Sequence, residues 1–230
     1  MARLLVVRHA QSVWNAAERW QGWSDAPLSE LGEQQAREAG QVLATIGFAP
    51  GAVACSDLAR ARRTAELLAA AIGFTGSLVE LPDLREQDLG EWIGLTSAEI
   101  EAHWPHALER RRAGAFEVPG GEEGAHFVER CMAALGRLAR RVDGDALVVV
   151  HGGVIMAMEA ALGAWEPGHR QPNVSGWWVE SRGTSPDLEL VPVEPVDLLT
   201  AVADPDGGGH NAAPTSSAPC PGALTALQSL

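Results

Sequence analysis

Four consecutive apolar residues, Leu4–Val7, run straight into the charged pair Arg8-His9. An apolar run without polar alternation fits a strand buried on both faces, and its abrupt end puts Arg8 and His9 at the strand's carboxyl end. A second run of this kind, from Asp145 through Ala146-Leu147-Val148-Val149-Val150, stops equally sharply at His151-Gly152-Gly153. Between the two, the spacing predicts a helix from Glu30 to Ile46, with Ser29 as N-cap, Leu31, Val42, Leu43 and Ile46 as its apolar positions, and Gly47 as its stop. A short strand at Ala52–Cys55 follows, then Ser56-Asp57 and a helix over Leu58–Ile72 ended by Gly73. Phe127, Cys131, Leu135, Leu138 and Val142 recur at helical spacing and predict a long amphipathic helix over Glu122–Val142. An apolar helix is expected over Val154–Leu162, with edge strands at Trp177–Glu180 and Leu188–Val193.

Strand and helix alternate, so the expected fold class is α/β: a three-layer αβα sandwich on a mainly parallel sheet. The stretch 76–121 is richer in turns and reads as a cap-like insertion within a catalytic domain spanning 1–203. It holds Leu84-Arg85-Glu86-Gln87-Asp88-Leu89-Gly90-Glu91-Trp92 and a capping-box spacing at Thr96-Ser97-Ala98-Glu99. After about Ala203, Gly, Pro, Ser and Ala dominate, and 204–230 is expected to be a flexible tail. No internal repeat is visible.

Composition narrows the chemistry. The net charge of -13 disfavours nucleic acid and anionic membranes as partners. All 17 basic residues are arginine. Lysine Schiff bases, lysine general bases and a Walker-type phosphate lysine are thereby excluded, while arginine clamps on oxyanions remain available. Cys55, Cys131 and Cys220 form neither a disulfide framework nor a zinc-finger spacing. The opening MARLLVVRHAQS has too short an apolar run for a signal peptide or a membrane span, so a cytoplasmic protein is expected.

Ligands of open α/β sheets bind outside the carboxyl ends of the strands, so His9 and His151 can face one crevice. Arg60 lies in the first turn of the helix after the second strand, beside the positive end of its dipole. Within an acidic chain, a pocket holding Arg8, Arg60 and two histidines would focus potential on a small anion, and phosphate is the obvious one. Arg62 and Arg63 compete with Arg60, and on a helix such residues ordinarily form a solvated face. Of two rival motifs, His103-Trp104-Pro105-His106 has a proline that spoils a shared metal-binding face. Cys131 and Arg137 have the Cys-x5-Arg spacing of cysteine phosphatases, but in a stretch that fits helix throughout rather than a phosphate-cradling loop. The tryptophans are core filler, with Trp14, Trp20 and Trp23 as candidates to wall the pocket.

The stretch LLVVRHAQSVWNAAERWQGWSDAPLSELGEQQA resembles the opening signature of the histidine phosphatase, or phosphoglycerate mutase-like, family. SDLARARRTAELLA is similar to the family's second block, LREQDLGEWIGLT to the third and VVVHGGVIM to the fourth, in order over roughly residues 1–160. Two departures stand out: Ala10 replaces the usual Gly after the histidine, and in PGGEEGAHFVER Glu123 stands where Ser is usual. The resemblance implies His9 as nucleophile, Arg8, Arg60 and His151 as holders of the phosphoryl oxygens, and Glu86 as proton donor. Asp83, Asp88 and Glu91 are the carboxylates that rival Glu86. A donor active at neutral pH needs desolvation to outweigh the surrounding cations. Ser12, Asn15, Gln21, Gly22 and the backbone N–H of Gly152 are implied as contacts to the phosphate or leaving group.

The expected function is a phosphatase acting on a small phosphorylated metabolite, without cofactor or metal, with a homodimer left open. The stretch between Glu86 and His151 is compact for the mutase branch, which favours hydrolysis. Phosphoglycerate mutase is the nearest rival; a silent phospholigand-binding module and a metal-dependent hydrolase using His9, Glu86 and His151 are the others.

Overall fold

A computed structural model describes residues 1–166, 168–169, 171–183 and 188–200; the expected tail at 204–230 lies outside them. The elements run β1 (Ala2–Arg8), α1 (Val13–Ala16), α2 (Glu30–Thr45), β2 (Ala52–Cys55), α3 (Ala59–Ala71) and β3 (Val79–Glu80). Two short 3₁₀ turns at Pro82–Leu84 and Gly90–Trp92 lead to α4 (Ser97–His103) and α5 (Ala107–Arg112). The chain continues with α6 (Gly124–Arg141), β4 (Gly144–Val150), α7 (Gly152–Ala161), β5 (Ser175–Arg182) and β6 (Glu189–Asp197).

The six strands form one sheet in the order β3-β2-β4-β1-β5-β6. Strands β1 to β4 are mutually parallel, while β5 and β6 add antiparallel to the β1 edge. Alternation along the strands sends side chains to two cores. On one face Leu5, Val7, Leu147 and Val149 pack with Ala36, Leu43, Ala61 and Leu68 of α2 and α3. On the other Leu4, Val6, Val148 and Val150 pack with Phe127, Leu135, Leu138 and Ile155 of α6 and α7. The fold is therefore the three-layer αβα arrangement, each fully buried aliphatic side chain contributing about 1.5–3 kcal/mol.

Ser29 caps α2 by accepting from Gly32 N, and Thr96 and Glu99 form the capping box of α4. The apolar face of α2 is only in part the one its larger residues suggest: Leu43 is buried and Val42 half-buried. Leu31 and Ile46 are exposed, and the buried face is Gly32, Ala36, Ala39, Gly40 and Leu43. The reason is close helix packing: a Cβ on Gly40 would lie 2.6 Å from the Ala71 Cβ of α3. The turn-rich middle also differs from expectation at its start, where Val79–Glu80 pairs with β2 as an edge strand. Beyond it, Leu89, Trp92, Ile100, Ala107 and Leu108 form a separate small core with Trp20 and Trp104. Among the described residues no helix is long and apolar enough to cross a membrane.

Candidate active site

Strand register places the two histidines. The β1/β4 pairing runs from Ala2↔Gly144 to Arg8↔Val150, so the next residues, His9 and His151, leave neighbouring strands at one level. The His9 N–H still donates to Val150 O (2.9 Å), and the two rings meet edge to face with centroids 5.2 Å apart. Strand β2 ends beside them, with Ser56 N donating to Val149 O, and leads into α3, whose first turn carries Arg60. Arg60 is 1% exposed. Its Nε donates to His9 Nε2 (3.3 Å), its Nη1 to Ser24 O (2.7 Å) and its Nη2 to Gly22 O (2.9 Å). Three strand ends thus bring His9, His151 and Arg60 together, with Arg8 at the end of β1.

The His9 ring has a defined tautomer. Its Nδ1 lies 2.7 Å from Ala10 O. A carbonyl oxygen only accepts, so Nδ1 carries the proton and Nε2 keeps its lone pair, the atom that Arg60 Nε addresses. Burial, then the charges of Arg60 and Arg8, hold the His9 pKa well below the usual 6.5, against the opposing effect of the Ala10 carbonyl. His151 is held low in the same way, by burial first and then by Arg60, His9, Arg8 and Arg130. Both rings are accordingly neutral at neutral pH. Burial brings Arg60 down to about 10, opposed by Glu86 and Asp25, which leaves it cationic. Neither ring nitrogen of His151 has a hydrogen-bond partner among the described residues, though both are buried. A buried unpaired polar group is costly, and a polar side chain left so at a strand end is suited to meeting a ligand.

Glu86 comes from the loop between the two 3₁₀ turns. Its Oε2 accepts from Gly153 N (3.0 Å) and its Oε1 from Gln87 N (2.8 Å). This ties the carboxylate to the start of α7, two residues from His151. Its rivals are engaged elsewhere: Asp83 pairs with Arg137, Asp88 Oδ1 accepts from Gly90 N, and Glu91 is exposed. Arg62 pairs with Glu80, and Arg63 with Glu33 and Glu66, so of the three arginines of α3 only Arg60 turns to the histidines.

The other expected contacts shape the loop beside the site. Ser12 caps α1, accepting from Asn15 N, while Asn15 Oδ1 accepts from Ser12 N. Ser12 Oγ donates to Gln21 Oε1 (2.8 Å). Gly22 adopts φ 51° and approaches Leu89 closely, and its carbonyl receives Arg60. Gly152 is the first residue of α7, alongside the Arg8 guanidinium. Trp23 Nε1 donates to Glu86 O, Trp20 joins the small core, and Trp14 lies against Gly94. His103 and His106 engage Glu99 O and Glu109 on the exposed surface. Cys131 is core, its thiol pushed up to about 12 by burial, and so unsuited to nucleophilic work. Glu123 sits exposed at the N-cap of α6 and makes no side-chain cap bond.

Several supporting residues lay outside the sequence reading. Asn173 Nδ2 donates to His9 O (2.8 Å), Arg8 Nη1 to Gln171 O (2.6 Å), and Ala10 N to Thr64 Oγ1 (3.1 Å). Arg130 reaches from α6 to the backbone of the Glu86 loop. For Arg130 alone a local signal existed, since it follows Glu122 by about two helical turns.

Residues 4–191 match the model of the histidine phosphatase superfamily, branch 1. The chain is 35% identical over 212 residues to a probable phosphoglycerate mutase of Erwinia tasmaniensis, covering 82% of this chain and 96% of the relative. It is 37% identical over 169 residues to a glucosyl-3-phosphoglycerate phosphatase of Mycolicibacterium vanbaalenii, covering 70% of this chain and 73% of that one. The solved structure of a mycobacterial glucosyl-3-phosphoglycerate phosphatase with VO3 superposes with a TM-score of 0.73 at 30% identity, over 84% of this chain and 97% of the other. With paired strand-end histidines in an αβα fold and a family match over most of its length, the chain belongs to the histidine phosphatase superfamily.

Proposed function

We propose that the protein is a phosphatase that hydrolyses a small phosphomonoester through a phosphohistidine on His9. The observation that carries this reading is the His9 ring: Nδ1 is committed to Ala10 O, and a neutral Nε2 is directed at Arg60 beside the unpartnered His151. In the first step Nε2 attacks phosphorus in line, the N–P bond forms, and the ester P–O bond breaks. Arg8, Arg60 and the His151 N–H spread the charge on the phosphoryl oxygens, while the Ala10 carbonyl steadies the positive charge that grows on the His9 ring. Glu86 gives its proton to the departing oxygen. In the second step water attacks phosphorus, its proton passes to Glu86, the N–P bond breaks and inorganic phosphate leaves.

Phosphatase and mutase names occur among relatives of similar identity, so the fate of the phosphoryl group is the point to test. The experiment is phosphate release from a panel of phosphorylated metabolites by the wild type and His9→Ala, with and without chelator. Release by the wild type, insensitive to chelator and lost in His9→Ala, is the expected result. Conversion of 3-phosphoglycerate to its 2-isomer, dependent on a bisphosphoglycerate primer and without net phosphate, would replace this reading with the mutase. More than a few per cent of turnover in His9→Ala would end both.

A further inference from the structure

The residues that hold Glu86 fall into two sets. Its carboxylate is fixed from α7, through Gly153 N, and by its neighbour Gln87 N. Its backbone belongs to a loop between two 3₁₀ turns, without a regular ladder of its own, so its carbonyls need donors from elsewhere. Trp23 Nε1 supplies one of them, to Glu86 O (2.7 Å), and the Arg130 side chain supplies three. Arg130 of α6 donates Nη1 to Asp83 O (2.8 Å) and Arg85 O (2.9 Å), and Nη2 to Glu86 O (3.0 Å). The same guanidinium grips Glu122, Nε to Oε1 at 2.7 Å and Nη2 to Oε2 at 2.8 Å. A guanidinium has five N–H donors, and these bonds engage all five.

Glu122 is in turn part of the clamp. Its backbone N donates to Asp88 O (2.9 Å), and its carbonyl accepts from Gln87 Nε2 (2.9 Å). Every residue from Asp83 to Asp88 except Leu84 is thus tied, directly or through its side chain, to the Glu122–Arg130 pair. The two side chains are only 9% and 11% exposed, so the pair is not a solvent-screened surface bridge. An arginine that bonds three carbonyls of one short loop ties the Glu86 backbone to α6, which packs in the same core as α7, where the carboxylate docks.

We infer that Arg130, oriented by Glu122, is the positioning residue that sets the reach of Glu86 toward the leaving group, an inference that rests on Glu86 being the proton donor. Lysine cannot replace it. A single ammonium with three donors can keep the charge pair with Glu122 but cannot bridge three carbonyls in the plane of a fork.

The test uses the dependence on the leaving group. An alkyl phosphate needs a proton on its departing oxygen, whereas p-nitrophenyl phosphate does not, and kcat/KM reports the phosphorylation step for each. Wild type, Glu86→Gln and Arg130→Lys are compared on both substrates, with thermal unfolding and inorganic phosphate affinity as controls. Arg130→Lys should lose on the order of 10²-fold in kcat/KM on the alkyl ester. Its p-nitrophenyl phosphate value and its phosphate affinity should stay near wild type. A loss by Arg130→Lys that is equal on the two substrates would mark a merely structural role and overturn the inference, as would no loss at all. Failure of Glu86→Gln to discriminate between the substrates would instead overturn the reading of Glu86 itself. Should Arg130→Lys not fold, Glu122→Gln removes the carboxylate that orients the fork; the same substrate-selective loss supports the inference and a uniform one defeats it.

Discussion

The backbone N–H of Gly153 donates to Glu86 Oε2 at 3.0 Å, and a methyl group at position 153 would overlap Glu86 Oε1. The absence of a side chain there is what lets a loop carboxylate dock on the first turn of α7, next to His151. Gly153→Ala should therefore expel Glu86 while leaving the helix intact, since alanine suits a helix better than glycine. The expected outcome is a fall in kcat/KM on an alkyl phosphate of about 10²–10⁴, the usual worth of a positioned acid. Thermal unfolding and circular dichroism should stay close to wild type. A Gly153→Ala protein of full activity would show that Glu86 does not act from this position.

Arg60 makes a second, separable prediction. Its guanidinium bonds His9 Nε2, Ser24 O and Gly22 O at once, from a site 1% exposed. Arg60→Ala removes the cation beside His9 Nε2, which in the proposed reaction would face the phosphoryl group, and leaves those carbonyls without this donor. A turnover loss of about 10²–10³ is expected, as for other groups that stabilise transition-state charge. Stability should also fall, by about 1–3 kcal/mol for each carbonyl left unpaired and buried. Kinetics and denaturant melts measure the two effects independently. Arg62→Ala, on the same helix but paired with Glu80 at the surface, should do neither.

The buried rings of His9 and His151 make stability depend on pH in a direction that can be stated, and keep activity from following the ordinary histidine titration. Each has a folded-state pKa well below 6.5, chiefly through burial, whereas in the unfolded chain each titrates near 6.5. Below pH 6.5 the unfolded state binds protons that the folded state refuses, so stability is full above that value and is lost as the pH falls toward the folded pKa. The limiting slope is about 1.4 kcal/mol per pH unit for each ring. Thermal midpoints measured from pH 7.5 to 5 should drop on acidification, and His9→Asn or His151→Asn should flatten the drop. For the same reason kcat/KM should not show a half-loss at pH 6.5 from protonation of His9, the proposed nucleophile. A midpoint independent of pH over that range would contradict the neutral, buried state of the rings.

Much of this site was legible in the chain because its key residues sit where regular patterns end. Arg8-His9 and His151 each terminate a run of buried apolar residues, and parallel pairing of β1 with β4 brings those ends together. Arg60 was marked by its place in the first turn of α3. What escaped notice is held by contacts remote in sequence or through the backbone. Asn173 and Gln171 support His9 and Arg8 across the sheet, and a backbone carbonyl as partner leaves no trace in residue type. Strand β3 has only two residues, too few for any alternation to show. Leu31 and Ile46 are exposed because helix packing at short range favours small residues over large ones, so the buried stripe of α2 is Gly32, Ala36, Ala39 and Gly40 with Leu43 as its one large member.

Glu123 occupies the N-cap of α6 with φ -59° and ψ 133°, yet its side chain makes no capping bond. The carboxylate of Glu is one methylene too long to reach back to the N–H groups of the next two or three residues, the role that Ser, Thr, Asp or Asn fills well. The first turn of α6 also lacks an acidic residue to complement the helix dipole, which leaves Glu123 at most a diffuse electrostatic part. Replacing it with serine should supply a direct acceptor and raise stability by about 0.5–2 kcal/mol. The side chain is exposed, and the neighbouring Glu122, which holds Arg130, is left untouched. Turnover should accordingly stay at the wild-type level while the thermal midpoint rises. A changed KM for the preferred substrate in Glu123→Ser, with unchanged stability, would instead assign Glu123 to substrate contact and show that the missing cap has no energetic weight.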